Sequence, residues 1–208
     1  MLVFDIGANH GEWTRQNLQA GLAGKVIAVE ASPSTYQTLL PRAGAHPNVI
    51  TINFAVSKQP GVVTFYNADN HTLSTMNKEW LTNPTSRFYG VKFKEITVPT
   101  VSIDKLIAVY GIPSLVKIDV EGGEYDAVQS LTQKVPLLCF EWASETNAIT
   151  FQCIDYLGTL GFTKFFVQHR DDYTFRPSAE QLSLTADQAK TLLSQTVPKE
   201  HWGMVWCA

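Results

Sequence analysis

The stretch Val3-Phe4-Asp5-Ile6-Gly7-Ala8-Asn9-His10-Gly11 constrains the fold more than any other. An apolar run enters an acid, a turn punctuated by Gly7 and Gly11 follows, and Glu12 to Leu18 reads as a helix. Glycines at such a turn let backbone and ligand approach closely, and a helix start directs free N–H groups outward. The succession of buried strand, tight turn and helix therefore predicts a ligand-binding junction. Asp5 at the strand end would repel a pyrophosphate and attract an ammonium or a hydroxyl. The spacing Gly-x-x-x-Gly is neither the dinucleotide fingerprint Gly-x-Gly-x-x-Gly nor a P-loop.

Nineteen residues past Gly11, Glu30 closes a second apolar run, Lys25 to Val29. An acid there is placed to accept hydrogen bonds from both ribose hydroxyls of a nucleoside. A nucleoside whose tail carries both an amine and a carboxylate suits this pairing of Asp5 with Glu30, and S-adenosyl-L-methionine is one. Phe54-Ala55-Val56-Ser57, at the end of a third run, would lie beside the same crevice and wall off an adenine.

Strands are expected at 2–8, 25–31, 49–56, 62–66, 115–119, 135–140, 162–167 and 204–207. Helices are expected at 11–22, after Pro33, after Ser102, from 123 to 131, and at 147–160, with a short one at 186–193. Alternation of this kind predicts an α/β fold with a mostly parallel sheet and helices on both faces. The absence of a clear long helix between the last two strands predicts an antiparallel final pair. In open α/β sheets, ligands bind beyond the carboxyl ends of the strands, where Asp5, Glu30, Ala55, Asp119, Glu141 and His169 all fall. Residues 67–95, the least regular part, mix His71, Trp80, Phe88, Tyr89 and Phe93 with Arg87, Lys92 and Lys94, and read as a substrate loop or lid.

At 208 residues and 45% hydrophobic, the chain suits one domain, residues 1–208. A net charge of −3 with interspersed signs argues against a nucleic-acid surface. Cys139, Cys153 and Cys207 are dispersed in apolar segments, as reduced thiols of a cytoplasmic protein would be. No apolar stretch reaches a membrane span, and Asp5 interrupts what would be the apolar core of a signal peptide. The first strand begins at Leu2, so the expectation is that either the fold tolerates an uncovered sheet face or an upstream segment covers it.

Asp5-Ile6-Gly7-Ala8-Asn9-His10-Gly11, Glu30-Ala31-Ser32-Pro33, Ala55-Val56-Ser57, Val101-Ser102-Ile103-Asp104-Lys105-Leu106 and Lys117-Ile118-Asp119-Val120-Glu121-Gly122-Gly123-Glu124 together resemble FkbM-type methyltransferases, over residues 2 to about 145. The resemblance implies a class I methyltransferase fold: a Rossmann-like three-layer sandwich whose seven-stranded sheet has an antiparallel last strand. It implies S-adenosyl-L-methionine as donor and O-methylation of a hydroxyl on a sugar or natural product. On this reading Asp5, Gly7, Ala8, Asn9, Gly11, Glu30, Ala31, Ser32, Ala55, Val56 and Asp119 bind the cofactor.

An alcohol is a weak nucleophile at neutral pH, so a general base is expected near the methyl group. Asp119 is the first candidate, followed by Glu121, Glu141 and His71, with His169 behind them. Asp119, Glu121 and Glu141 are also the acids that would hold a Mg2+ ion, should one acidify the acceptor. Glu124 reads as a helix-capping acid and Trp13 as core. The competing readings are a nicotinamide-dependent oxidoreductase, since Glu30 would serve either ribose, and a binding module that keeps the pocket without transferring methyl groups. The acceptor expected is a small molecule or glycan.

Overall fold

A computed structural model describes Met1 to Ala208. The apolar runs form strands β1 (Leu2–Ile6), β2 (Lys25–Val29), β3 (Val49–Ile52), β7 (Leu115–Ile118), β8 (Leu138–Ala143), β9 (Phe165–His169) and β10 (Trp202–Cys207) of one sheet. Its order is β3-β2-β1-β7-β8-β10-β9. The strands from β3 to β8 pair in parallel, and β10 runs antiparallel to both β8 and β9. The expected antiparallel final pair is therefore present, with β10 inserted between β8 and β9.

Successive residues of a strand face opposite sides, and here both sides are buried. Phe4, Ile6, Ile27, Val29, Val116 and Ile118 join a core with Ile103, Leu106, Val128, Ile154, Leu157 and Leu193. Those partners come from α4 (Ile103–Tyr110), α5 (Glu124–Gln129), α6 (Asn147–Thr159) and α7 (Ala186–Ser194). The alternate residues Val3, Val26, Ala28 and Leu115 pack instead with Trp13, Leu39, Ala43 and Leu182. These lie on α1 (Glu12–Gln19), on α2 (Pro33–Leu39), on the wider helical turn Leu40–Gly44 that continues it, and on the segment after β9. Tyr173 and Phe175 of that segment pack on the same face, and Arg176 lies over the Trp13 and Trp206 rings at 5.2 and 5.4 Å. The sheet face that carries Val3 is thus covered in part by residues 173–182, whereas Leu2 lies on the face of Phe4 and Ile6. Full burial of each large side chain contributes about 1.5–3 kcal/mol.

The helix starts are written locally. Ser32 caps α2 by accepting from Thr35 N, with Pro33 at the first helical position, and Thr185 and Gln188 form a reciprocal capping box on α7.

The third expected strand, 49–56, divides. Asn53 turns its side-chain amide onto the carbonyls of Glu30 and Ala31, at 2.8 and 3.1 Å, where the ladder of β3 stops. The following β4 (Ala55–Val56) leaves the main sheet and pairs in parallel with β6 (Phe93–Val101), whose other edge holds β5 (Gly61–Ala68) antiparallel. The stretch 67–95 is more regular than its composition suggests. It finishes β5, makes one tight helical turn at His71–Leu73, forms α3 (Lys78–Thr82) and starts β6.

Candidate active site

A cavity of about 870 Å3 opens beyond the carboxyl ends of the central strands. Its lining follows the sheet order. Phe54, Ala55 and Val56 stand at one end, then Glu30 and Ala31 after β2, Gly7, Ala8 and Asn9 after β1, Asp119 and Glu121 after β7, and Glu141 on β8. Neighbouring strands are about 4.8 Å apart, so Glu30 and Asp119, two strands apart, stand about 10 Å apart across the crevice.

The glycine turn closes on itself. Gly7 N and Ala8 N both donate to the Val29 carbonyl at 2.9 Å, Gly11 N donates to Ala8 O, and His10 N donates to Asn9 Oδ1. Asn9, at φ 50°, donates its N–H to Glu30 Oε2 at 2.9 Å. The turn thus spends the N–H groups of Gly7 to Gly11 on Val29, on Glu30 and on its own oxygens, and the free N–H groups expected at the helix start are those of Glu12, Trp13 and Thr14. What the turn offers a ligand is shape. A Cβ on Gly7, whose φ is 76°, would lie 1.7 Å from the Asp119 carbonyl oxygen.

Glu30 is held from both sides. Oε2 accepts from Asn9 N, and Oε1 accepts from Ser32 N at 2.8 Å. Each oxygen keeps a further lone pair for a ligand hydroxyl. Burial pushes the carboxyl up to about 7, against the opposing pull of the two N–H donors.

Asp5, Gly11 and Ser32 stand behind the cavity wall. Asp5 is fully buried; Oδ2 accepts from Thr14 Oγ1 at 2.6 Å and Oδ1 lies 3.2 Å from Lys117 Nζ. Burial raises its pKa and Lys117 opposes the rise. Gly11 begins α1 at φ 81°, and Ser32 caps α2. His169 faces Trp142 and His201 edge-on and is not part of the lining.

Asp119, Glu121 and Glu141 each bring a carboxylate oxygen within 4.8 Å of the others. Burial raises Glu121 and Glu141 well above the usual carboxylate range, and the neighbouring acids push both further. Glu124 has a different task. Its Oε1 accepts from Val120 N and Gly122 N, stapling the loop before α5, and burial lifts it to about 7.

The segment from His71 to Trp80 roofs the cavity and is tied down at two points. His71 Nδ1 lies 2.8 Å from Asn9 Oδ1, and its ring stacks on His10 at 3.8 Å. Further along, Thr75 Oγ1 donates to Glu121 O at 2.6 Å, Asn77 Nδ2 to Gly122 O at 3.2 Å, and Trp80 Nε1 to Glu121 Oε2 at 3.0 Å. These bonds hold Glu121 at φ 57°, a backbone region costly for a side chain of its kind.

Sequence reasoning placed Trp80 and Arg87 in the expected substrate loop and Lys117 in a strand motif without giving them individual roles, and it assigned nothing to Asp171, Tyr173 and Trp202, which also line the cavity. Lys117 did carry a signal, since a lysine inside a four-residue strand that is buried throughout needs a charged partner. The others arrive from distant segments. Asp171, raised to about 6 by burial despite the attraction of Lys117, follows β9 and has no motif around it.

The parallel sheet with its inserted antiparallel strand, and a nucleoside-sized crevice with an acid after β2, define a class I methyltransferase fold. The chain belongs to the FkbM methyltransferase family: the profile described as the methyltransferase FkbM domain matches residues 5–162. No curated protein matches the sequence. Among solved structures, methyltransferase FkbM from Methylobacillus flagellatus KT aligns with a TM-score of 0.52 at 15% identity, over 82% of this chain and 40% of that one. The part of this chain that aligns thus spans about two fifths of that relative's length. Precorrin-6y C5,15-methyltransferase from Geobacter metallireducens GS-15 aligns with a TM-score of 0.51 at 11% identity, over 100% of this chain and 79% of that one. At these identities the likeness is one of fold. No helix is long and apolar enough to cross a membrane.

Proposed function

We propose that this chain binds S-adenosyl-L-methionine along the crevice and methylates a hydroxyl of a sugar or natural-product acceptor. The observation that carries the reading is the order of groups in one cavity: apolar wall, Glu30, glycine turn, Asp119, Glu141. Phe54, Ala55 and Val56 would flank the purine, Glu30 would accept from the ribose hydroxyls, and Asp119 would accept from the ammonium of the tail. Bound there, S-adenosyl-L-methionine supplies a methyl group already activated on a sulfonium, leaving the protein to align an acceptor and remove one proton.

The acceptor would enter between Glu141, Trp80, Phe88 and Trp202, where aromatic faces meet carboxylates. Arg87, the cation of that end, is neutralised by Glu145. Lys117 lies 3.2 Å from one oxygen of Asp119 and Trp80 donates to one oxygen of Glu121, whereas Glu141 lines the cavity beside them. Glu141, whose carboxylate no side chain or N–H of the protein engages, is the proton acceptor we favour, with Glu121 behind it.

Calorimetric titration of S-adenosylhomocysteine into wild type and Glu30→Gln tests the cofactor half. Loss of charged hydrogen bonds to the ribose should cost about 2–4 kcal/mol, roughly 30-fold to 1000-fold in affinity. Equal binding by both proteins would refute the placement. Repeating the titration and a methyl-transfer screen of sugars with EDTA decides whether Mg2+ on Asp119, Glu121 and Glu141 takes part.

A further inference from the structure

Lys117 is the one charged residue of β7, and only 2% of it is exposed. It pairs in register with Asp5 of β1, so both side chains rise from the same face of the sheet. Its ammonium reaches toward the carboxyl ends of both strands. There it donates to the Gly7 carbonyl at 3.0 Å and lies 3.2 Å from Asp5 Oδ1 and 3.2 Å from Asp119 Oδ2. The ammonium thus makes one hydrogen bond, to the Gly7 carbonyl, and two ion pairs, to carboxylates of β1 and of the loop after β7, so that it touches three segments that meet at the crevice.

The consequence for the turn is specific. The peptide between Gly7 and Ala8 has its carbonyl held by Lys117 and its N–H held by the Val29 carbonyl at 2.9 Å. Neither end can rotate without breaking a buried bond. On the other side, one Asp119 oxygen is drawn inward, which leaves the second for a ligand; the side chain is 27% exposed. Lys117 therefore fixes the two walls, turn and acid, between which the far end of a nucleoside ligand would lie. No hydrogen bond or ion pair joins it to Glu30, which feels its charge only at a distance.

We propose that Lys117 is a positioning residue: it sets the Gly7 carbonyl and the Asp119 carboxylate for the amino-acid tail of the cofactor, and leaves the nucleoside end alone. This rests on the cofactor reading above. Since Lys117→Met strands Asp5 without its cation, the paired variant Lys117→Met/Asp5→Asn removes the buried charges together and guards against unfolding.

The experiment is calorimetry on wild type, Lys117→Met and the paired variant, each checked for folding by circular dichroism. The two probes are S-adenosylhomocysteine and 5′-methylthioadenosine, which lacks the tail. The expected result is a loss of at least tenfold for S-adenosylhomocysteine in the folded variants, with 5′-methylthioadenosine within threefold of wild type. Equal losses for both probes would make Lys117 a support of the fold only, and S-adenosylhomocysteine binding within threefold of wild type would remove its role; either overturns the inference. Wild type that binds neither probe would overturn the cofactor reading itself, and this inference with it. Wild type that binds both with equal affinity would leave the cofactor pocket standing and overturn the inference alone.

Discussion

The indole N–H of Trp80 donates to Oε2 of Glu121 at 3.0 Å, joining the roof of the cavity to its acid floor across a sequence separation of 41 residues. The bond favours the charged form of a carboxyl that burial and Asp119 push the other way. Trp80→Phe keeps the ring and removes the donor, so the Glu121 pKa should rise further. Carbon NMR of labelled glutamates through a pH titration measures it; a fall in the Glu121 pKa would contradict the role given to Trp80.

Stability should depend on pH in a direction opposite to acid denaturation of ion-paired proteins. Glu30 sits at about 7 in the folded chain against an ordinary value of 4.5, so between these values the folded state keeps a proton that the unfolded state has released. This contribution is present below 4.5, declines as pH rises to about 7, and is gone above it. Its size is about 3 kcal/mol, at roughly 1.4 kcal/mol per unit. Calorimetric Tm should drop by several degrees from pH 5 to pH 8, and Glu30→Gln should flatten the slope. A Tm that climbs through this window would be incompatible with a buried Glu30 whose pKa is raised.

Gly7→Ala should fold poorly and lose ligand binding, because the added Cβ would meet the backbone of Asp119, which cannot move aside as a side chain can. The expected cost is on the order of 3 kcal/mol or more. Gly21, at φ 69° with nothing within 4 Å of its Cβ position, is the control; Gly21→Ala should cost about 1–2 kcal/mol, from backbone strain alone. Urea unfolding of both variants makes the comparison. Equal costs would mean that the close approach of β1 and β7 is unimportant.

Arg87 and Glu145 pair with 18% and 4% of their side chains exposed, anchoring the stretch before β6 to the end of β8. Arg87→Ala should destabilise by about 1–3 kcal/mol, since the partly buried Glu145 carboxylate loses its charged hydrogen bonds. Arg87→Met/Glu145→Leu should recover most of that loss. A single variant as stable as wild type in urea would show the anchor to be dispensable.

The succession of strands along the chain and the acids at their ends were legible in the sequence because they depend on local pattern. Apolar runs at period two, the Gly7 and Gly11 turn, and Glu30 nineteen residues on need no partner to be recognised. The break at Asn53 was not legible: 49–56 is one β-prone run, and only the carbonyls of Glu30 and Ala31 decide where the ladder ends. Asp171 and Trp202 escaped notice for the same reason, since each reaches the cavity from a segment whose own pattern says nothing about the crevice.

Asp5 and Lys117 mark the boundary between the two kinds of information. Their residue types and strand positions stand in the sequence, and so does the need for a buried charge to find an opposite one. The pairing itself depends on β1 and β7 becoming neighbours, which brings residues 5 and 117 into register. The sequence alone determined that this chain would be a doubly wound sheet with acids at its rim. The tertiary structure decided which acids face the ligand and which hold the wall, because that depends on which face of a strand each side chain leaves and on what the neighbouring strand places beside it.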